Sequence, residues 1–312
     1  MDVLSDAVSA MRTGHPHSGK VDLSGHWGLR FAASGGAAFH VVLQGTGWLV
    51  SPAPEPIRLT AGDVLLLPHG GKHAIASDPE APLLDVIQSP SGEWALAEEP
   101  SPAAGLDASL LCGSYMLNRT QAHPLMTGLP DVVHLPARLG DRASVHDTVT
   151  LLGRELEHRN PGVDVLVPAL LESLLVFILR AWLEDSAELA VGGWAAALAN
   201  PVVASALEAI HSDPSHPWTV QELGTRAGVS RAAFARRFTT LVGRTPLAYL
   251  TWWRMTISCR LLTDSDAPLR RVAEQSGYSS EFAFAKAFKR EFNVSPGSYR
   301  KQHQHLADAA AG

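Results

Sequence analysis

The sequence predicts an α+β chain of two domains: a β-barrel continued by a helical segment, then an all-α domain. Three observations carry that reading. Between Val21 and Gln88, apolar runs of strand length are broken at close spacing by Gly, Pro and Ser. From Ser144 to Glu188 the apolar residues recur at helical spacing, and from Val202 onward every segment reads as a short helix. At roughly 100–200 residues per domain, 312 residues suffice for two cores. A composition of 46% hydrophobic and 18% charged residues excludes a disordered chain. With 26 Gly, 21 Pro and 2 Cys, collagen-like and disulfide-stapled folds are excluded as well. Cys112 and Cys259, far apart in sequence, read as buried thiols of a reducing compartment.

In chain order, strands are expected at Gly28–Phe31, Phe39–Leu43, Gly47–Val50, Val64–Leu67 and Ala81–Ile87, antiparallel in a barrel or sandwich. Leu110–Gly113 and Tyr115–Leu117 close the series, after a Pro-, Ser- and Glu-rich loop over Ser89–Ala108. Asp147-Thr148 is expected to cap a helix running to Arg159, stopped by Asn160-Pro161-Gly162. A second helix follows over Val163–Glu184. Its Leu166, Leu170, Leu174, Phe177, Ile178 and Ala181, widened by Leu171, Leu175 and Leu179, wrap most of the surface and need cover on more than one side. Either its own domain or a second subunit supplies that cover; the i, i+3/i+4 anchors suit a homodimer through 163–184. Asp164, Pro168, Glu172 and Arg180 interrupt this stretch, the most lipid-like in the chain, before it reaches the roughly 20 apolar residues a bilayer requires. The acidic start Met1–Asp6 is unlike a secretory signal, so a soluble cytoplasmic protein with no membrane partner is expected. Gly192–Pro201 reads as a hinge.

Beyond the hinge two segments share a plan, although no internal repeat shows by simple spacing. Thr219-Val220-Gln221-Glu222 is a capping box opening a helix with Leu223 and Ala227 inward and Gly224 at a close approach. Gly228-Val229 turns the chain, and Ser230 caps a helix that buries Phe234, Phe238, Leu241 and Val242. The opposite face shows Arg231, Ala232, Ala235, Arg236 and Thr239. From Leu269 to Asn293 the plan recurs: Leu269, Val272 and Ala273 on one helix, a Ser276-Gly277-Tyr278 turn, then Ser279 or Ser280 as cap. That last helix buries Phe284, Phe288 and Phe292 and exposes Glu281, Phe282, Ala285, Lys286 and Lys289. Thr245-Pro246 starts the helix between the halves, with a cap, an N1 proline and a buried stripe of Leu250, Trp253, Ile257 and Leu261. Ser295-Pro296 starts a short helix through Tyr299. One such hairpin is commonly plain helical core; two, joined by a rigid helix, read as a bipartite helix-turn-helix DNA reader. The charge agrees: 204–312 carries 14 Lys and Arg against 9 Asp and Glu, while the remainder carries 11 against 22.

These residues, together with Gly243–Pro246 and Tyr299-Arg300, resemble the AraC/XylS family of bacterial transcription regulators over about Ala204 to Gln304. The resemblance implies that Ser230–Val242 and Ser280–Phe292 enter successive major-groove segments on one face of duplex DNA. Ala232, Ala235 and Arg236 would then face bases in the first groove, and Glu281, Phe282, Ala285 and Lys286 in the second. Arg236 can donate two hydrogen bonds to a guanine edge, whereas the alanines offer apolar contact to a thymine methyl. Arg231, Arg237, Lys289 and Arg290 read as phosphate contacts, Arg237 equally as a solvated surface charge. Glu281 opposes phosphate, so it either accepts from a cytosine amine or marks a weakly engaged second helix, and the first helix reads as the stronger of the two.

Gly62–His73 resembles the second motif of the cupins, and Phe39–Gly45 the end of the first. Of the usual four metal ligands only His73 remains; the glutamate position falls on Ala38 and no His-x-His precedes it. No cofactor and no metal are therefore expected, and a cupin-type metal-dependent enzyme with a helical appendage is the competing function. His40 shares a strand face with position 38. His40 and His73 read either as hydrogen-bonded structural histidines or as pocket lining, with a residual metal site completed by His69, His26 or Cys112 as a third reading. Trp27, Arg30 and Trp48 are further candidates for an effector pocket. The expected organisation is a cupin-like sensor (1–120), a helical dimerisation segment (121–190), a linker (191–203), the paired helix-turn-helix domain (204–304) and a tail (305–312). Such a protein binds double-stranded DNA and a small-molecule effector, and RNA polymerase if it activates; activator and repressor remain equal alternatives.

Overall fold

The computed structural model describes residues 2–12, 14–88, 94–96, 106–117, 123–137, 143–158, 160–188 and 193–302. They divide into two units, one of residues 11–185 and one of 186–312 together with 1–10.

The first unit is a curled sheet of ten strands: β1 (His17–Leu23), β2 (Gly28–Phe31), β3 (Ala37–Ser51), β4 (Ile57–Thr60), β5 (Val64–Leu67), β6 (His73–Ala76), β7 (Leu84–Gln88), β8 (Trp94–Leu96), β9 (Ala108–Tyr115) and β10 (Val133–Leu135). The two strands expected at Phe39–Leu43 and Gly47–Val50 are one strand. β3 stays paired through irregularities at Val42/Gln44 and Leu49/Ser51, and it joins β9 and β5 along its first half and β4 and β6 along its second. Bulges of this kind bend a strand without ending it, so the glycines at 45 and 47 mark a corner rather than a turn. Tyr115–Leu117 likewise does not form a separate strand: β9 runs without a break to Tyr115. Beyond the expected strands, β1, β4, β6 and the three-residue β10 escaped the sequence. β1, His-Ser-Gly-Lys-Val-Asp-Leu, pairs on one side only, with β9, and a polar composition suits an edge. β4 and β6 are four residues each. Within Ser89–Ala108, β8 pairs with β7; most of the rest lies outside the described residues.

Residues of β3 alternate between the barrel interior and an outer face that is also covered. Ala38 and Val42 join Leu29, Leu49, Leu65, Leu67, Ile75 and Leu110 in the interior core. Phe39 and Val41, pointing the other way, are equally buried, with Phe39 against the Tyr115 ring at 4.8 Å. After the short α2 (Pro124–Thr127) come α3 (Ala143–His158) and α4 (Val163–Glu188). α3 begins before the expected Asp147-Thr148 cap, because its buried stripe starts at Val145 and the Thr148 hydroxyl donates back to the Ser144 carbonyl at 2.7 Å. Arg159, its expected end, lies outside the described residues. α4 buries Leu171, Leu174, Leu175, Ile178, Leu179 and Ala181 within its own unit, and the Tyr115 hydroxyl donates to the Leu171 carbonyl at 2.9 Å. By length and composition alone α4 could cross a bilayer. What its unit leaves uncovered is Val165, 78% exposed, and a narrower strip of Leu166, exposed, with Leu170 and Phe177 half-buried.

The second unit is helical. Its sequence-local features match expectation closely: α7 (Val220–Arg226), α8 (Arg231–Val242), α9 (Pro246–Thr263), α10 (Leu269–Gln275), α11 (Glu281–Phe292) and a short helix over 296–302. Between Gly192, which is not described, and Pro201, the expected hinge contains helix α5 (Trp194–Ala199) with Trp194, Ala195 and Ala197 buried. Asn200 then caps α6 (Pro201–Ser212), accepting from the Val202 and Val203 amides. Pro246 opens α9 without the expected side-chain cap from Thr245. The buried face of α9 is broader than the expected stripe. It takes in Tyr249, Trp252, Met255, Ser258, Cys259 and Leu262 besides Leu250 and Trp253, while Ile257 and Leu261 are half-buried.

Helix α1 (Val3–Met11), through Ala10, belongs to this unit rather than to the barrel that follows it in sequence. Ala7 is fully buried and Asp6 is 5% exposed. The Asp6 carboxylate lies 3.1 Å from His211 Nδ1, and His211 Nε2 lies 2.8 Å from the Tyr249 hydroxyl. Burial lowers the pKa of His211 despite the opposing pull of Asp6. The ring is therefore neutral at pH 7, with its Nδ1–H donating to Asp6 and its Nε2 accepting from Tyr249.

Candidate nucleic-acid interface

Each reading helix is fixed at both ends by local chemistry. The Ser230 hydroxyl accepts from the Ala233 amide at 3.3 Å, and the Ser280 hydroxyl from the Ala283 amide at 3.2 Å. At the far ends Gly243 (φ 77°) and Asn293 (φ 59°) take the left-handed conformation that stops a helix. The capping box of α7 is only half made: Thr219 accepts from the Glu222 amide, but the Glu222 carboxylate goes to His216 Nε2 at 2.8 Å. Phe234, Phe238, Phe284 and Phe288 are completely buried, so the opposite faces must point out.

Those outward faces hold the expected residues. On α8, Arg231, Ala232, Arg236 and Arg237 are exposed and Ala235 is half-buried; on α11, Glu281, Phe282, Lys286, Lys289 and Arg290 are exposed and Ala285 is half-buried. Phe282 is 81% exposed, a large apolar surface left to water on an otherwise polar helix. Among the described residues, no ion pair or side-chain hydrogen bond holds Arg231, Arg236, Arg237, Lys286 or Lys289. Other basic residues of the same segment are committed internally. Arg254 and Arg300 donate to backbone carbonyls, and Arg260 and Arg270 pair with Asp264 and Glu274. The net charge of the segment thus overstates the charge free to meet a polyanion, and much of the free share, Arg231, Arg236, Arg237, Lys286 and Lys289, sits on the two reading helices.

The halves also repeat at a fixed interval. Ser230, Phe234, Phe238, Pro246 and Tyr249 stand 50 positions before Ser280, Phe284, Phe288, Pro296 and Tyr299. This register is legible as spacing and corrects the expectation that no internal repeat shows; only the turn glycines depart from it, by one residue, Gly228 (φ 70°) against Gly277 (φ 75°). It aligns Arg236 with Lys286 and Ala232 with Phe282.

Inside the barrel, His40 and His73 meet, with their Nε2 atoms 2.7 Å apart. Phe31 stacks on the His73 ring at 4.7 Å and 8°. His73 Nδ1 lies 2.8 Å from the Gly71 carbonyl and therefore carries its proton there, leaving Nε2 as an acceptor. His40 must then donate through Nε2, and its Nδ1 remains a buried acceptor without a partner. Burial, and next the neighbouring His73, hold His40 well below the ordinary histidine pKa; burial also lowers His73. Both rings are neutral when folded, yet protonate near about pH 6.5 in the unfolded chain. The unfolded state thus binds more protons, and stability should fall as pH drops below about 6.5. The unfolding midpoint is expected to decrease between pH 7.5 and 5.5, less steeply in His40→Gln. An identical pH slope in that variant would contradict the assignment.

The remaining barrel candidates do not join this pair. Arg30 is exposed and paired with Asp85 at 3.1 Å; Trp48 is half-buried beside Leu49, whose side chain is the one facing the core. Trp27 does belong to the interior core, as does Cys112, whose thiol pKa burial raises. His26 is exposed and His69 Nε2 lies 3.0 Å from the Leu129 carbonyl. Among the described residues no three His, Cys, Asp or Glu side chains converge as a metal site requires.

Known proteins bear on both halves. A cupin family model matches residues 2–184, and a helix-turn-helix domain model matches 223–302. An AraC-like transcription regulator of Streptomyces lividans is 38% identical over 306 residues, covering 96% of this chain and 98% of that protein. The chain belongs to the AraC-like transcription regulators. Two further members of the same kind are the HTH-type regulator MtrA of Neisseria gonorrhoeae, 30% identical over 97% of this chain and 99% of that one, and AlkR of Acinetobacter baylyi, 29% identical over 97% and 100%. Among solved structures, the DNA-binding domain of AdpA in complex with a target DNA is 32% identical, covering 34% of this chain and 96% of that one, with a TM-score of 0.33. As a family member the protein is a DNA-binding transcription regulator with a cupin-like amino-terminal half. Its relatives are regulators, and the competing enzyme reading is set aside on that ground.

Proposed function

We propose that this AraC-like regulator is a cytoplasmic, effector-responsive homodimer that reads two successive major-groove segments with α8 and α11. The carrying observation is the pair of capped helices that present Arg236 and Lys286 at matching positions, free of internal partners. Ala232, Ala235 and Arg236 contact bases in one segment, and Glu281, Phe282, Ala285 and Lys286 in the next. Arg231, Arg237, Lys289 and Arg290 contact phosphates. Residues 11–120, joined by β10 (Val133–Leu135), form the sensor, the rest of 121–190 the connector, 191–203 with α5 the link, 204–304 together with residues 1–10 the reader, and 305–312 a tail. The effector enters near His40 and His73, where a ligand that donates a hydrogen bond would satisfy the unpartnered His40 nitrogen. A second copy covers Leu166, Leu170 and Phe177, the i, i+4, i+11 strip that α4's own unit leaves open. RNA polymerase is a further partner where the protein activates.

Selection of bound fragments from genomic DNA, combined with sedimentation, tests this reading. The selected sites should carry the bipartite element twice, and a folded Leu170→Glu/Phe177→Glu variant should sediment as a monomer that occupies one copy. A variant that stays dimeric would reject the α4 surface.

A further inference from the structure

Reading two grooves at once requires the two helices to keep a fixed relative position, and one side chain joins the elements that set it. Arg254 projects from the middle of α9, the helix between the halves. Its guanidinium donates to three successive carbonyls of the segment before α7: Nε to Pro214 at 2.6 Å, and Nη2 to Ser215 at 3.3 Å and His216 at 2.9 Å. That segment is itself held closed. Asp213 Oδ1 accepts from the Ser215 hydroxyl at 2.6 Å and the His216 amide at 3.0 Å, and the Trp218 indole donates to the Asp213 carbonyl at 2.8 Å.

The other side of the same guanidinium faces the second half. A Cβ at Gly277, in the turn between α10 and α11, would sit 2.8 Å from Arg254 Cζ and 2.9 Å from the Ser215 carbonyl oxygen. Arg254 also lies 6.0 Å from the centre of the Tyr278 ring. One turn along α9, Ser258 Oγ lies 2.7 Å from Ser276 Oγ, fastening the same turn again. Gly277 therefore answers to two demands, a positive φ and the absence of a side chain against Arg254.

We infer that Arg254 is a positioning residue that sets the separation between the two reading helices, and hence the spacing of DNA segments the protein accepts. This rests on the reading of α8 and α11 as groove-entering helices. Arg254 spends Nε and Nη2 on carbonyls of its own chain; a lysine there supplies one charged point rather than a fork and cannot span the same carbonyls. Successive segments on one face lie about 34–36 Å, or about 10–10.5 base pairs, apart, so one added base pair turns the second groove by about 35°.

The test uses the full chain and a duplex selected by the wild type from a random-sequence pool, with and without one base pair inserted between the two groove segments within each bipartite element. Wild type should lose at least about tenfold in affinity on insertion, as for a mismatched base pair or worse. Arg254→Ala should lose less than about threefold on the same insertion, and Arg254→Lys should fall between. Gly277→Ala, which displaces the guanidinium by another route, should also narrow the difference and keeps the inference testable if Arg254→Ala does not fold. A purely structural loss would weaken both duplexes in the same proportion; an unchanged spacing ratio in folded variants overturns the assignment. A wild type that binds its duplex with no spacing preference overturns the bipartite reading itself, and the role of Arg254 with it.

Discussion

His211→Ala should remove about 3–5 kcal/mol from the stability of the unit that carries the reading helices, because it takes the ring N–H from the buried Asp6 carboxylate and breaks the bond between the ring and the Tyr249 hydroxyl. The ring also stacks on Trp253 at 4.1 Å, and that packing disappears too. Asp6→Ala should cost less, about 1–3 kcal/mol, since what it strands is a neutral N–H rather than a charge. The two effects should not add: once Asp6 is gone, removing His211 strands no carboxylate. A double-mutant cycle by chemical denaturation should therefore show a coupling of about 1–3 kcal/mol. Additive losses would mean that the two side chains, 205 positions apart, do not act as a pair. The consequence for the molecule is that its first ten residues stabilise the DNA-reading unit, so a truncation that removes α1 weakens a domain that begins some 180 residues later.

The second large effect is on DNA. Arg236→Ala should weaken binding to the cognate site by about 1–3 kcal/mol and relax discrimination at one base position, the behaviour of a guanidinium bonded to a guanine edge. The helix around it should be undisturbed, since Arg236 is exposed and the buried side chains of α8 are Phe234, Phe238 and Val242. Arg237→Ala is the contrasting case: removing a cation that neutralises a phosphate lowers affinity for all sequences alike and flattens the salt dependence. If Arg236→Ala instead lowered every sequence in proportion, its role would be that of Arg237 and the base assignment would be wrong.

What the sequence made legible is what short-range chemistry decides. Ser230 and Ser280 as caps, the phenylalanines at fourfold spacing and the outward basic faces all follow from residues within three or four positions of one another. The strands Gly28–Phe31 and Val64–Leu67 were equally plain, each an apolar run between turn residues. What was hidden depends on partners distant in sequence. Nothing near Asp6 announces that it meets His211, and nothing near Arg254 announces three carbonyls from residues 214–216. Both are polar side chains in helices, which local reasoning assigns to solvent or, in a basic segment, to DNA. β1 was hidden for the opposite reason: as an edge strand it carries polar residues that look like a loop. At the barrel site, alternation along β3 placed His40 correctly inside, but could not show that its partner would be His73 or that Arg30 would face outward to Asp85.

The account stands on two helices occupying neighbouring major-groove segments of one duplex. Methylation protection of guanine N7 by the full chain on its selected duplex reports this directly, because N7 lies on the major-groove edge. Within each bipartite element two protected clusters on one face of the duplex, about one helical turn apart, are the expected result, the first abolished in Arg236→Ala and the second in Lys286→Ala. A single cluster, or protection that neither substitution alters, would contradict it.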